Sequence, residues 1–252
     1  MNVILGSGGK IYSYFVTMVI VAAKDRIPKN MTKSRTRVRE LATAAYANGD
    51  YTGWFETLYA EADGNLDAIP WADRAVNPWL LDWVKASQLN FQNLRVLVVG
   101  CGLGDDAEYL AGLGAKVTAF DLSQTAIDWC HTRFPSSKVN YQAVDLFTAP
   151  AKWKFGFDLV IEIYTIQALP ANIRPNAIES IGNFVAPAGK LLVVCRGRNP
   201  EDACESLPFP LTKDELHKFI ETGLIEVSFA DSIDEFDITP ARRFRIVYTR
   251  SN

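Results

Sequence analysis

The chain has 252 residues, of which 48% are hydrophobic and 22% charged, so a disordered or low-complexity protein is excluded and one globular domain suffices. The net charge of −3 hides an asymmetry, because eight of the 26 basic residues but only one of the 29 acidic residues lie within residues 1–39. The acidic remainder argues against nucleic-acid binding and for a small-molecule partner.

The N-terminal part of the chain contains an apolar stretch at residues 11–23, and basic residues follow it. This stretch is too short to span a bilayer as a helix, and a signal peptide carries its positive charges before the apolar core. We expect no stable membrane insertion, with a weak membrane anchor as the alternative. We predict a basic, poorly ordered extension at residues 1–35 and a single domain at residues 36–252.

Three helices are predicted before the first strand, at residues 37–47, 54–62 and 79–86. Asn48-Gly49 ends the first helix, and Thr52 is expected to cap the second. The helices form a helical cap at residues 36–90, and the first two are expected to cover a ligand site.

Three glycines, Gly100, Gly102 and Gly104, follow a predicted buried strand at residues 96–99. Glycine allows a sharp turn and lets a ligand approach the main chain closely. This turn therefore predicts a nucleoside-binding site within a core at residues 91–195.

A helix at residues 106–113, capped by Asp105 or Asp106, and a strand at residues 117–120 come next. The strand ends at Asp121, where a carboxylate can accept hydrogen bonds from both hydroxyls of a ribose. The glycine pattern is G-x-G-x-G, whereas dinucleotide folds have G-x-G-x-x-G, and Asp105 stands at the place of their third glycine. An NAD-dependent oxidoreductase stays open as an alternative.

Strands and helices alternate downstream, which predicts an α/β fold with a doubly wound, mostly parallel, seven-stranded sheet. Ser123 is expected to cap one helix, and Thr212 with Glu215 forms a capping-box pattern before another. A substrate-side region follows at residues 196–252. The further predicted strands are 139–144, 159–163, 191–195, 224–229 and 244–248, and the further helices are 124–134, 173–184 and 213–221.

The run VVGCGLG, followed by a strand that ends in Asp121, resembles the first motif of class I S-adenosylmethionine-dependent methyltransferases. Segments 143–147, 157–162 and 186–195 resemble the later landmarks of that family in the required order. The resemblance implies a Rossmann-like fold with an antiparallel final strand. It also implies S-adenosyl-L-methionine as the cofactor and a small-molecule methyl acceptor, with transfer to a thiol or other heteroatom.

One departure points to a branch of that family. Most members have an acid two residues before the first glycine, and this chain has Val98. The thiopurine and halide/thiol methyltransferases carry an aspartate at the place of Asp106, so Asp106 is predicted to pair with the ammonium group of the cofactor. Complementarity to the helix dipole is the alternative role. Trp54 and the segments 69–73 and 77–79 also resemble that branch.

The resemblance assigns the remaining site residues. Glu162 is predicted to act as a base, and Tyr164 to orient the nucleophile or face the sulfonium. A surface ion pair for Glu162 and simple packing for Tyr164 are the alternatives. Gln167, Arg196 and Arg198 are further candidates on the substrate side, and exposure to solvent is the alternative for the two arginines. The predicted cofactor-binding residues are Trp54, Trp71, Gly100, Cys101, Gly102, Gly104, Asp106, Asp121, Leu122, Asp145 and Leu146.

The chain has only two histidines and no C-x-x-C pair, so we predict no metal site and four reduced thiols, as in a cytoplasmic protein. A non-catalytic binding module with a degenerate methyltransferase fold is the remaining alternative, because Val98 stands at a position that is usually acidic.

Overall fold

The computed structural model describes residues 29–204, 206–235 and 240–252. The apolar stretch at residues 11–23 and most of the predicted extension lie outside these ranges. In the part of the chain that is described, no helix combines the length and apolarity needed to cross a membrane.

A seven-stranded sheet forms the centre of the fold, in the order β3-β2-β1-β4-β5-β7-β6. β1 to β5 are parallel, and β7 runs antiparallel between β5 and β6. The predicted doubly wound, mostly parallel α/β fold and the antiparallel last strand are confirmed. The strands are β1 (Arg95–Val99), β2 (Lys116–Asp121), β3 (Asn140–Ala143), β4 (Phe157–Ile163), β5 (Val185–Arg196), β6 (Leu224–Asp234) and β7 (Ala241–Arg250).

Seven α-helices flank or cover this sheet within the described ranges. The first begins at Lys29, eight residues before the predicted start, and so includes the last residues of the segment predicted to be poorly ordered. They are α1 (Lys29–Ala47), α2 (Trp54–Ala62), α3 (Pro78–Ser87), α4 (Asp105–Gly112), α5 (Gln124–Arg133), α6 (Arg174–Phe184) and α7 (Lys213–Glu221).

Both faces of the sheet are buried, as the apolar strand sequences require. Along β1, Leu97 and Val99 pack on the face of α6 and α7, whereas Val96 and Val98 pack on the face of α3 and α4. A third cluster, around Val38 of α1 and Tyr59 of α2, joins the helical cap to Leu103 and Ala126 of the core. The cap is therefore part of the same packed body.

Two predicted helix caps are wrong. α4 begins after Gly104, which has a φ of 87° and makes no side-chain cap, because Asp105 pairs instead with Arg133. α2 begins after Gly53, and the side chain that accepts N–H bonds there is Asp50 rather than Thr52. The predicted cap of α5 by Ser123 and the capping box of Thr212 with Glu215 are confirmed.

Candidate functional site

A cavity of about 700 Å³ lies at the carboxyl ends of β1, β2 and β4, beneath the helical cap. Its volume falls within the roughly 300–1,000 Å³ that small-molecule sites occupy. Gly104 and Glu162 are absent from its wall, so the structure does not bring these two predicted residues to the site. The wall contains the other predicted site residues, namely Trp54, Trp71, Gly100, Cys101, Gly102, Asp106, Asp121, Leu122, Asp145, Leu146 and Tyr164.

The glycine turn forms the floor of this cavity. Gly102 has a φ of 52°, and a Cβ there would lie 3.3 Å from the hydroxyl oxygen of Tyr59. Gly104 has another task, since a Cβ on it would collide with the hydroxyl of Tyr141 and crowd Cys130. Gly104 thus allows α4 to pack closely, whereas Gly102 leaves backbone open beneath the cap.

Asp121 fixes the glycine turn from the end of β2. One carboxylate oxygen accepts the N–H of Gly102 at 2.9 Å, and the other accepts the N–H of Ser123 at 3.0 Å. Burial raises the pKa of Asp121, although these hydrogen bonds oppose that effect. Each oxygen keeps a lone pair, so the carboxylate can still accept hydroxyl donors from the cavity.

A flat apolar compartment adjoins Asp121. Asp145 accepts the N–H of Phe147 at 2.9 Å and thereby caps a short 3₁₀ turn that begins at Leu146. Val144, Leu146 and Phe147 line the cavity beside this carboxylate. The sequence analysis missed Phe147, although an aromatic residue directly after the predicted Asp-Leu pair was the available signal.

Asp106 joins α4 to the cap. Its carboxylate accepts the N–H of Asn77 at 2.7 Å. The pKa of Asp106 is raised to about 6, mainly by burial and also by the neighbouring charges of Asp105 and Asp73. Because Asp73 and Asp106 both line the cavity, this end of the site is acidic and suits a cationic group.

Aromatic side chains of the cap face the glycine turn. Trp54 and Trp71 meet edge to face at 6.3 Å, and Phe55 stacks on Trp54 at 3.8 Å. The indole N–H of Trp71 donates to the hydroxyl of Tyr59 at 2.8 Å. Tyr59 was not predicted, because nothing in the local sequence shows that α2 turns it toward Gly102.

Glu56 of α2 attaches the cap to the loop after Asp121. Its carboxylate accepts the hydroxyl protons of Ser123 at 2.6 Å and of Thr125 at 2.5 Å, together with the N–H of Thr125 at 3.2 Å. Burial raises the pKa of Glu56, but these hydrogen bonds outweigh it and the net pKa is lowered. The carboxylate therefore stays ionised and holds the cap against the core.

Tyr164 follows β4 and lies in the wall of the cavity. Its φ is 66°, which is uncommon for a residue other than glycine. The guanidinium of Arg243 lies 5.2 Å from the centre of its ring, and burial raises the pKa of its hydroxyl. Tyr164 is thus a neutral phenol in the wall of the cavity, within electrostatic reach of Asp73 and Asp234.

Glu162 is placed differently from its predicted role. Its side chain is fully buried, so the alternative of a surface ion pair is wrong. One carboxyl oxygen accepts the N–H of Thr165 at 2.8 Å and the N–H of Ile166 at 3.0 Å. Burial raises the pKa of Glu162 to about 7.

The wall near Tyr164 is built by the ends of β5 and β7. Arg196 and Arg243 stand opposite each other in the register of these strands, and both line the cavity. The side-chain oxygen of Gln167 accepts the N–H of Arg196 at 2.6 Å. Arg198 lies outside the cavity wall, where its guanidinium pairs with Glu215.

The thiols and potential metal ligands were also located. All four cysteines are free. Among the described residues, no group of three or more His, Cys, Asp or Glu side chains is arranged to hold a metal ion.

The chain was compared with known proteins. A family model described as thiopurine S-methyltransferase (TPMT) matches residues 65–247. The ubiquinone biosynthesis O-methyltransferase of Xanthomonas oryzae pv. oryzae strain PXO99A is 34% identical over 143 residues, which cover 56% of each chain. That of Bordetella avium strain 197N is 30% identical over 130 residues, covering 50% of this chain and 53% of the relative. The chain thus spans about half the length of these curated relatives.

The fold was also compared with solved structures. It is similar to that of 1,6-didemethyltoxoflavin-N1-methyltransferase from Burkholderia thailandensis, which was solved with its substrate and S-adenosylhomocysteine bound. The TM-score is 0.60 at 15% sequence identity, covering 79% of this chain and 86% of that one. At this identity the likeness shows a shared fold.

Proposed function

The chain belongs to the thiopurine S-methyltransferase family, and we propose that it uses S-adenosyl-L-methionine to methylate a thiol or another heteroatom of a small molecule. The family membership decides against the NAD-dependent oxidoreductase. The observation that supports the proposal most is that one cavity is lined by the glycine turn, by several carboxylates and by Tyr164 with two arginines.

The residues at the acidic end fit the cofactor. Asp121 has lone pairs to accept the ribose hydroxyls, while the compartment of Val144, Leu146 and Phe147 suits a flat adenine ring beside Asp145. Asp106 offers a carboxylate to the ammonium group, and its neighbour Asp73 adds to the same negative potential. The aromatic faces of Trp54 and Trp71 attract a positively charged sulfur as they attract other cations.

S-adenosyl-L-methionine, when bound, supplies an electrophilic methyl group on a sulfonium. The protein contributes alignment and exclusion of water, which in well-oriented reactions lower a barrier by on the order of 7–11 kcal/mol. The cap supplies the exclusion through Trp54 and Trp71, and Glu56 keeps it closed against the core. The groups of the cavity wall near Tyr164, and above all Tyr164 itself, align the acceptor.

The cavity wall near Tyr164 favours a thiol as the methyl acceptor. A thiol ionises near neutral pH and then needs no strong base, whereas an alcohol does. Among the described residues, no histidine lines the cavity, and Glu162 is outside its wall. Positive charge favours an anionic nucleophile over a neutral one, and this wall carries the guanidinium groups of Arg196 and of Arg243, the latter paired with Asp234.

The proposed activity is tested with isotopically labelled S-adenosyl-L-methionine and a panel of thiols, halides, phenols and amines. We expect transfer of the label to at least one thiol. Calorimetry with S-adenosylhomocysteine should show binding that Asp121→Ala weakens by at least about 100-fold, because a charged partner of the ribose and the support of the glycine turn are both lost.

Asp128→Asn is the matched control, because Asp128 is an exposed acid on α5 whose carboxylate bonds only to the side chain of Gln124 among the contacts described. It should bind S-adenosylhomocysteine like the wild type. Binding without transfer to any acceptor would favour the non-catalytic module. Equal affinity in Asp121→Ala and the wild type would contradict the proposed cofactor site.

A further inference from the structure

Glu162 lies at the centre of the sheet rather than in the cavity. Its backbone pairs with Val99 of β1 on one side and with Val193 of β5 on the other. Its side chain is fully buried on the face that it shares with Val160. A general base must come within hydrogen-bond reach of the proton that it removes. The carboxyl of Glu162 does not line the cavity in which the acceptor would bind.

The carboxyl instead holds the turn after β4, which we define as residues 163–168. One oxygen accepts the two N–H groups of Thr165 and Ile166, at 2.8 and 3.0 Å. These N–H groups open the short 3₁₀ helix Ile166–Ala168, and its first flanking residue, Thr165, provides no side-chain cap. Glu162, a residue of the preceding strand, therefore accepts the N–H groups that a helix-capping side chain would otherwise accept.

The turn after β4 contacts both the glycine turn and the cavity wall at Arg196. The hydroxyl of Thr165 donates to the carbonyl of Val99 at 3.2 Å, and a Cβ on Gly100 would collide with that hydroxyl. Gln167 bonds the N–H of Arg196 through its side chain and the N–H of Phe209 through its carbonyl. A shift of this turn would move the glycine turn and the acceptor wall together.

Tyr164 makes the turn dependent on outside support. Its φ of 66° is a conformation that residues with a side chain adopt only when the surrounding structure holds them there. Its N–H donates to the carbonyl of Val194 at 3.0 Å on the one side, and Glu162 binds the next two N–H groups on the other. These bonds therefore hold the backbone on both sides of Tyr164.

We propose that Glu162 is a positioning residue for methyl transfer, whose buried carboxyl keeps the turn after β4 in the conformation that presents Tyr164 and Gln167 to the acceptor. This inference rests on the proposed function for the reaction itself. It replaces the role of base that the sequence predicted for Glu162.

The experiment compares Glu162→Gln with Glu162→Leu. Glutamine keeps an acceptor oxygen for the two N–H groups but cannot take a proton as a base, whereas leucine fills similar space without an acceptor. Three quantities are measured: kcat and KM with 4-nitrothiophenol and S-adenosyl-L-methionine, the Kd for S-adenosylhomocysteine, and hydrogen exchange of the Thr165 and Ile166 amides by NMR.

We expect Glu162→Gln to keep kcat within about threefold and both amides protected. Glu162→Leu should lower kcat by about 100-fold, as misplacement of a positioned group does, and accelerate exchange of both amides by at least about tenfold. The Kd for S-adenosylhomocysteine should change less than about threefold in Glu162→Gln, whereas Glu162→Leu should raise it, because Thr165 of the same turn contacts the glycine turn. Asp128→Asn, which replaces an exposed acid of α5, is the control and should match the wild type.

Two results would overturn the inference. A Glu162→Gln protein that loses as much kcat as Glu162→Leu while its amides stay protected would identify proton transfer, and a folded Glu162→Leu protein with wild-type kcat would show that the turn needs no such support. If Glu162→Leu does not fold, Glu162→Gln and Glu162→Met decide. Failure of the proposed function is separate, since it appears as a wild type that methylates nothing.

Discussion

At the scale of single residues, the proposed role of Asp106 makes cofactor binding depend on pH. Burial raises its pKa to about 6, so the carboxylate is ionised above that pH and neutral below it. Only the ionised form pairs with an ammonium group. We therefore expect the affinity for S-adenosylhomocysteine to be full at pH 7.5 and to fall as the pH drops through about 6, measured by calorimetry.

Asp106→Asn separates this effect from other acids. Asparagine still accepts the N–H of Asn77 but carries no charge, so affinity at pH 7.5 should fall by about tenfold, or about 1.4 kcal/mol. The variant should also lose the decline of affinity near pH 6. A decline of equal size in both proteins would assign the pH dependence to another group, such as Asp121.

A second residue-scale prediction concerns packing. Gly104→Ala should lower the free energy of unfolding by about 2–4 kcal/mol, because Gly104 has a φ of 87° and a Cβ would collide with Tyr141. Gly64→Ala is the control, since Gly64 has a φ of 80° with nothing within 4 Å of the added carbon. If urea denaturation shows equal decreases in the free energy of unfolding for Gly104→Ala and Gly64→Ala, the proposed packing role of Gly104 is contradicted. Tyr141→Phe should restore part of the loss at position 104.

The sequence predicts single residues well where the cause is local. Asp121, Leu122 and Asp145 follow strands directly, so the strand pattern alone brings them to one edge. Glu162 was placed at the same edge but on the wrong side of the backbone, because a side chain at a strand end can point into the cavity or under the following turn. Only the bonds to Thr165 and Ile166 distinguish the two.

At the scale of elements, α2 is attached to the core by apolar packing and by the hydrogen bonds of Glu56. Glu56→Ala removes the acceptor of three hydrogen bonds from Ser123 and Thr125. We expect dissociation of S-adenosylhomocysteine to accelerate by about tenfold in stopped-flow experiments, and exchange of the α2 amides to rise, because the cap opens more often.

Glu61→Ala on the same helix is the matched control. Its carboxylate pairs with Arg37 at the surface, where an ion pair adds little stability, and it does not line the cavity. Release at the wild-type rate from Glu56→Ala would mean that the aromatic packing of Trp54 and Trp71 closes the cap unaided.

The sequence predicts where most elements lie but not all of their ends. The strands β1, β2 and β4 were recognised from short apolar runs, since both faces of a parallel sheet are buried. β6 and β7 extend beyond residues 224–229 and 244–248, because an antiparallel ladder can continue through exposed polar residues once it has begun. The contact of Glu56 with Thr125 spans 69 residues, and no local pattern reports it.

At the scale of the whole molecule, ligand binding should stabilise the cap and the sheet together, because one cavity is lined by both. At a concentration of 100 times its Kd, S-adenosylhomocysteine should add about 2.7 kcal/mol to the free energy of unfolding. For a domain of this size that is a rise in Tm of roughly 5–10 °C, measurable by calorimetry. Asp121→Ala should show almost none of it at the same concentration.

The overall fold was the most predictable level, because alternation of strands and helices leaves few ways to wind a sheet. The docking of the cap was the least predictable. α1 begins at Lys29 in a polar, basic sequence, and only its contacts through Val38 and Ala42 show that it belongs to the body of the protein.

The antiparallel insertion of β7 between β5 and β6 has an evolutionary consequence. In the proposed function, residues 96–147 and the cap hold the cofactor, whereas Arg196 of β5 and Arg243 of β7 lie on the acceptor side. Mutations around Arg196 and Arg243 can accumulate without changing the residues that hold the cofactor. A lineage of proteins with this arrangement can therefore evolve toward new methyl acceptors while it keeps the same methyl donor.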